Sequence, residues 1–135
     1  MVALRSLWQN NINSIHMATE INFDGKVFRS LSNTDNGEVS GETLFRYSQK
    51  GDLVWAEYSG GGILKGHLIA KTDKQGRLDM RYQHVNDNGE IRTGVCNSTP
   101  DIMPDGSVKL QEKWRWTCGD HSEGESVLVE VPASG

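Results

Sequence analysis

From residue 20 onward the hydrophobic positions alternate with polar ones at a period of two. In 77–85 one face carries Leu78, Met80, Tyr82 and His84, and the other carries Arg77, Asp79, Arg81 and Gln83. In 107–118 one face carries Val108, Leu110, Glu112, Trp114, Trp116 and Cys118, opposite Lys109, Gln111, Lys113, Arg115 and Thr117. Side chains on a strand point alternately to its two faces, so the apolar set of each pair is the inner one. The same reasoning puts Thr43, Phe45 and Tyr47 inward, then Ile91, Thr93, Val95 and Asn97, and finally Val27, Arg29 and Leu31. Segments 52–58 and 63–70 are apolar at both parities and leave the choice open.

Turn signals separate these segments at strand-like spacing. They are Asp24-Gly25, Asn36-Gly37, Lys50-Gly51-Asp52, Ser59-Gly60-Gly61-Gly62, Gln75-Gly76, Asn88-Gly89 and Asp105-Gly106. Asn-Gly and Asp-Gly tolerate the positive φ that tight hairpins need. The pattern predicts about nine strands, near 20–23, 26–32, 41–49, 52–59, 62–72, 77–86, 89–98, 107–117 and 124–131. Short connections favour antiparallel neighbours. The predicted fold is all-β: one up-and-down meander of 8–9 strands closing into a barrel. A two-sheet sandwich is the runner-up. The barrel domain is expected over 19–132, after an extension at 1–18 and before a frayed tail at 133–135. Met17 is the expected natural start.

Composition narrows the partners. The 135 residues carry fourteen basic and eighteen acidic side chains, a formal charge of −4. General affinity for nucleic acid or an anionic membrane is not expected. No apolar run reaches the ~20 residues of a membrane span. Arg5 breaks the first apolar residues, which argues against a secretory signal and for a cytoplasmic protein with reduced thiols at Cys96 and Cys118. The expected hairpin sets Cys96 opposite about residue 111, away from Cys118.

The candidate chemistry sits on the inner faces. Glu112 is the most informative residue, because a carboxylate among apolar side chains must be paired, protonated or hydrogen-bonded. Arg29, His84 and Arg92 are its candidate partners. His84 titrates near neutral pH, and Tyr82, Trp114 and Trp116 are suited to walling a pocket. The ligand-binding set is therefore Glu112, His84, Tyr82, Trp114, Trp116 and Arg29. No catalytic residue, cofactor or metal site is assigned. His16, His67, His84 and His121 lack metal-ligand spacing. No nucleophile elbow, P-loop or dinucleotide fingerprint occurs, and Ser59-Gly60-Gly61-Gly62 reads as a hairpin turn. Asp120, His121, Glu123 and Glu125 read as a solvated loop.

Several segments carry a family resemblance. They are Phe28-Arg29-Ser30, Trp55 to Gly61, Arg81 to Asn86, Asn88 to Gly94 and Glu112 to Thr117. They resemble a family of short, mostly uncharacterised bacterial proteins often labelled "N-acetylglutamate synthase", over about residues 20–131. The resemblance implies an avidin-like or calycin-like β-barrel. The label implies an acetyl-coenzyme A enzyme, but the pyrophosphate-gripping Q/R-x-x-G-x-G/A loop of such enzymes is missing. Three functions follow. The barrel binds a small, partly polar molecule; or Glu112 and His84 act as acid and base in acyl transfer; or it is a filled structural barrel, alone or as a homo-oligomer.

Overall fold

The computed structural model describes residues 20–132. The expected extension at 1–18 and the expected tail at 133–135 lie outside the described residues. Eight strands run in chain order: β1 Val27–Asn33, β2 Leu44–Lys50, β3 Leu53–Gly60, β4 Ile63–Thr72, β5 Leu78–Asn86, β6 Ile91–Ile102, β7 Val108–Trp116 and β8 Glu123–Glu130. Every successive pair is antiparallel, and β1 pairs with β8 to close the barrel. Closure leaves no strand edge exposed. No helix occurs among the described residues. Tight hairpins join most strands, with Gly89 at φ 79°, a backbone conformation that explains Asn88-Gly89 at that turn.

The predicted strand at 20–23 does not form. Residues 20–23 are irregular and lie outside the sheet. The hydrophobic signal there comes from Phe23, fully buried with its ring 5.8 Å from Tyr47 and 6.5 Å from Phe28. Its backbone N–H donates to Gln49 Oε1 at 2.8 Å. The segment thus plugs the base of the barrel, where Val54, Leu78, Val108, Leu110 and Leu128 complete the packing.

Two inner-face assignments reverse. On β1 the buried residues are Phe28 and Ser30, while Arg29 and Leu31 are exposed. Phe28 packs on Tyr47 at 5.1 Å, and the opposite parity would have buried an unpaired guanidinium. On β6 the inward positions are Arg92, Gly94, Cys96 and Ser98, not Ile91, Thr93, Val95 and Asn97. The reason lies on neighbouring strands. Tyr82 lies over Gly94, where a Cβ would stand 2.2 Å from its ring. A large neighbour across the sheet requires a small residue beneath it, so the apolar β-branched face of β6 turns outward. The β6–β7 register also differs from expectation. The strand runs on to Ile102, and Cys96 pairs with Trp114. Both cysteines are free.

Two further aromatic–glycine pairs line the wall. Tyr58 lies over Gly66 and Trp114 over Gly124, each directly across its hairpin. The open parity questions on β3 and β4 resolve accordingly, with Val54, Ala56 and Tyr58 facing Gly66, Leu68 and Ala70 inside.

Candidate functional site

The opposite end of the barrel is its mouth. The 34–43 connection between β1 and β2 crosses it, sewn down on several sides. Asn33 Nδ2 donates to Val39 O at 3.1 Å, and Asn36 Nδ2 donates to Glu123 O at 2.8 Å. Thr43 Oγ1 donates to Gly60 O at 2.9 Å. The two tryptophans bond from inside to the end of β1 and to the cover. Trp114 Nε1 donates to Asn33 Oδ1 at 3.1 Å, and Trp116 Nε1 donates to Asn36 O at 3.0 Å.

Glu38, from the middle of this cover, dips into the mouth. Its Oε1 lies 2.8 Å from His84 Nε2, and its Oε2 lies 3.6 Å from Arg92 Nε. Asn86 Nδ2 donates to both carboxylate oxygens, at 3.3 and 3.2 Å. On the other side of the imidazole, Tyr58 Oη is 2.9 Å from His84 Nδ1. A carboxylate on Nε2 and a hydroxyl on Nδ1 fit a neutral ring that donates to Glu38 and accepts from Tyr58. Burial pushes the His84 pKa below its usual value despite the opposing pull of Glu38. Burial also raises the Tyr58 and Tyr82 hydroxyls, so both are neutral. The Arg92 guanidinium stacks 4.4 Å from the Trp116 ring centroid.

Glu112 lies deeper, on β7. Its cross-strand neighbours are Ser98 on β6 and Ser126 on β8. Both hydroxyls donate to it: Ser98 to Oε2 in a short hydrogen bond, and Ser126 to Oε1 at 3.2 Å. The residue is only 9% exposed. Burial pushes its pKa up to about 6, with the two serines and Cys96 pulling it back. It remains ionised at neutral pH, without a basic partner among the described ion pairs.

Between the two layers lies a cavity of about 50 Å³. That is room for a few water molecules. Phe45, Tyr58, Leu68, Met80, Tyr82, Trp114 and Trp116 supply its apolar walls, and Glu38, His84, Glu112, Asn33 and Ser126 its polar points. Trp114 and Trp116 meet edge to face at 5.4 Å, and Tyr82 approaches Trp116 at 6.0 Å.

Five of the six predicted site residues therefore converge: Tyr82, His84, Glu112, Trp114 and Trp116. Arg29 does not, because it stands on the outer face of β1. None of the three candidate partners of Glu112 bonds to it. Arg29 points away, while His84 and Arg92 are held by Glu38. His84 and Glu112 have separate hydrogen-bond partners, so the geometry makes no acid–base couple of them. Sequence reasoning missed Glu38, Asn33, Ser98 and Ser126. The serines become visible once β6 and β8 are set in register with Glu112. Glu38 sits in an irregular connection and has no periodic signal.

A closed up-and-down barrel, packed at its base and hollow beneath a covered mouth, has the architecture of the small-ligand-holding antiparallel barrels. The chain belongs to the avidin-like protein family, whose model matches residues 21–131. A comparison with curated proteins gives no match. The family supports the avidin-like part of the resemblance, and nothing in it carries the N-acetylglutamate synthase label.

Proposed function

We propose that this protein binds a small, partly polar molecule in the cavity beneath the 34–43 cover. The observation that carries the reading is the Glu112 carboxyl, buried at an aromatic-walled cavity, held by two hydroxyls and the Cys96 thiol, with no basic partner among the described ion pairs. Such a group costs stability, and a binding site is where such a cost is retained. The avidin-like family is consistent with the same reading. Acyl transfer is the weaker alternative, because His84 is committed to Tyr58 and Glu38 and is not aimed at Glu112. A purely structural barrel would fill this volume with side chains. We place the binding in a reducing, cytoplasmic setting, a reading supported by two free cysteines.

The test is native mass spectrometry of freshly purified protein, followed by a thermal-shift screen of cytoplasmic metabolites including glutamate and acetyl-coenzyme A. A co-purified or stabilising small molecule that protects Trp114 and Trp116 from fluorescence quenching is expected. Bare protein with no response would refute the proposal. Stabilisation by acetyl-coenzyme A alone would transfer support to the synthase label. The measured mass also gives the oligomeric state.

A further inference from the structure

The charges inside the barrel constrain what the cavity accepts. Among the inward positions of β1–β8, the basic side chains are His84 and Arg92. Both face Glu38: His84 Nε2 at 2.8 Å and Arg92 Nε at 3.6 Å. His84 is neutral, so Glu38 and Arg92 form one charge pair at the mouth. Glu112 below it is left as a single negative charge.

The coordination of Glu112 is also incomplete. An ionised carboxylate offers about four acceptor sites. Ser98 and Ser126 fill one on each oxygen, and the Cys96 thiol reaches the same carboxylate. Both serines are neutral donors from the adjacent strands, set by register, and neither balances the charge. Tyr82, Trp114 and Trp116 line the same cavity. Aromatic faces attract cations, most strongly where water is excluded. An anionic ligand would meet the opposite situation: two carboxylates, Glu38 and Glu112, line the cavity, while the one guanidinium, Arg92, stands outside the lining, 3.6 Å from Glu38 and stacked on Trp116. The free volume of about 50 Å³ restricts the guest to a few heavy atoms.

We infer that the ligand is a compact organic cation bearing N–H groups, an ammonium or amidinium, whose nitrogen donates to Glu112 while its carbon side rests against Trp114 and Trp116. This inference rests on the binding function proposed above. It adds the ligand's charge and donor character.

Isothermal titration calorimetry and thermal shift on the full chain at neutral pH test it. The probes are propylammonium and acetamidinium, set against uncharged or anionic controls of similar size, acetamide and propionate. The cations are expected to bind and raise Tm, and the controls are not. Glu112→Gln should weaken cation binding by about 30-fold or more, since it removes one partner of a buried charge pair. Near-UV circular dichroism of the tryptophans checks that the variant is folded. If it is not, carboxyl ¹³C resonances in the wild-type protein serve instead, and the Glu112 signal should move on adding propylammonium. Preference for propionate or acetamide overturns the cation class and leaves the binding function standing. Cation binding that survives Glu112→Gln, or an unmoved Glu112 resonance, also overturns it. No binding by any probe, together with bare protein in native mass spectrometry, overturns both.

Discussion

Replacing Glu112 with glutamine removes the ionisation from the barrel interior while keeping the shape of the side chain, so the effect should depend on pH. In the folded protein burial raises the Glu112 pKa from 4.5 to about 6. A group whose folded pKa is raised gives stability that is full below the unfolded pKa and lost as pH rises through the folded one. That rise corresponds to about 2 kcal/mol of destabilisation at pH 7.5. Part of it persists at pH 5, so about 1 kcal/mol is gained on acidification. His84 works in the opposite direction over the same range. Its folded pKa is lowered, so its contribution is present above the usual 6.5 and lost as pH falls. The wild-type profile alone therefore mixes the two. The difference between Glu112→Gln and wild type isolates Glu112, because His84 is common to both proteins. Urea unfolding at pH 7.5 and pH 5 measures it. The stability of Glu112→Gln relative to wild type should be greater at pH 7.5 than at pH 5 by about 1 kcal/mol. A difference that is flat with pH would mean that Glu112 has an ordinary pKa, and the unpaired buried charge would not exist.

Three further outcomes are expected. Glu38→Gln removes the carboxylate that holds His84, Asn86 and Arg92; the His84 titration should move further down, and the Trp116 indole N–H should exchange about 5–150-fold faster by NMR, the equivalent of about 1–3 kcal/mol. Unchanged exchange would show that the 34–43 cover is held without it. Tyr47→Phe removes a buried hydroxyl that has no hydrogen-bond partner, and urea unfolding should show a gain of about 1 kcal/mol; a loss of that size would reveal an interaction of the hydroxyl that matters. Gly94→Ala places a Cβ 2.2 Å from the Tyr82 ring and 2.8 Å from the Arg115 carbonyl oxygen, and should cost about 1–3 kcal/mol by the same assay, with a neutral result ruling out tight packing there.

The barrel was legible in the chain wherever one face of a strand is uniformly apolar. Strands β5 and β7 are of this kind, and they carry Tyr82, His84, Glu112, Trp114 and Trp116 to the cavity. Reading failed where packing across strands outweighs the pattern within one. On β6 the outward residues Ile91 and Val95 are more hydrophobic than inward Gly94 and Ser98, because Tyr82 and Glu112 occupy the space in front of them. On β1 both parities contain large apolar residues, and the aromatic cluster of Phe23, Phe28 and Tyr47 decides between them. The partners of Glu112 lie 14 residues away on either side, so only the register reveals them. Glu38 was invisible for a different reason. Irregular connections impose no periodicity, and its role depends on how the cover folds over the mouth.

The rings of Tyr58, Tyr82 and Trp114 rest on Gly66, Gly94 and Gly124, and all three rings line the cavity. Each glycine lets its ring recede into the wall by the depth of a missing methyl group. The bore of the barrel is therefore set from behind the lining. An alanine at one of these positions pushes its ring toward the axis and narrows the chamber, while every residue that a guest touches stays the same. Guest size and guest chemistry are thus encoded at different positions in this chain. Two such barrels with identical lining residues would admit guests of different girth, and comparing their linings alone would not reveal it.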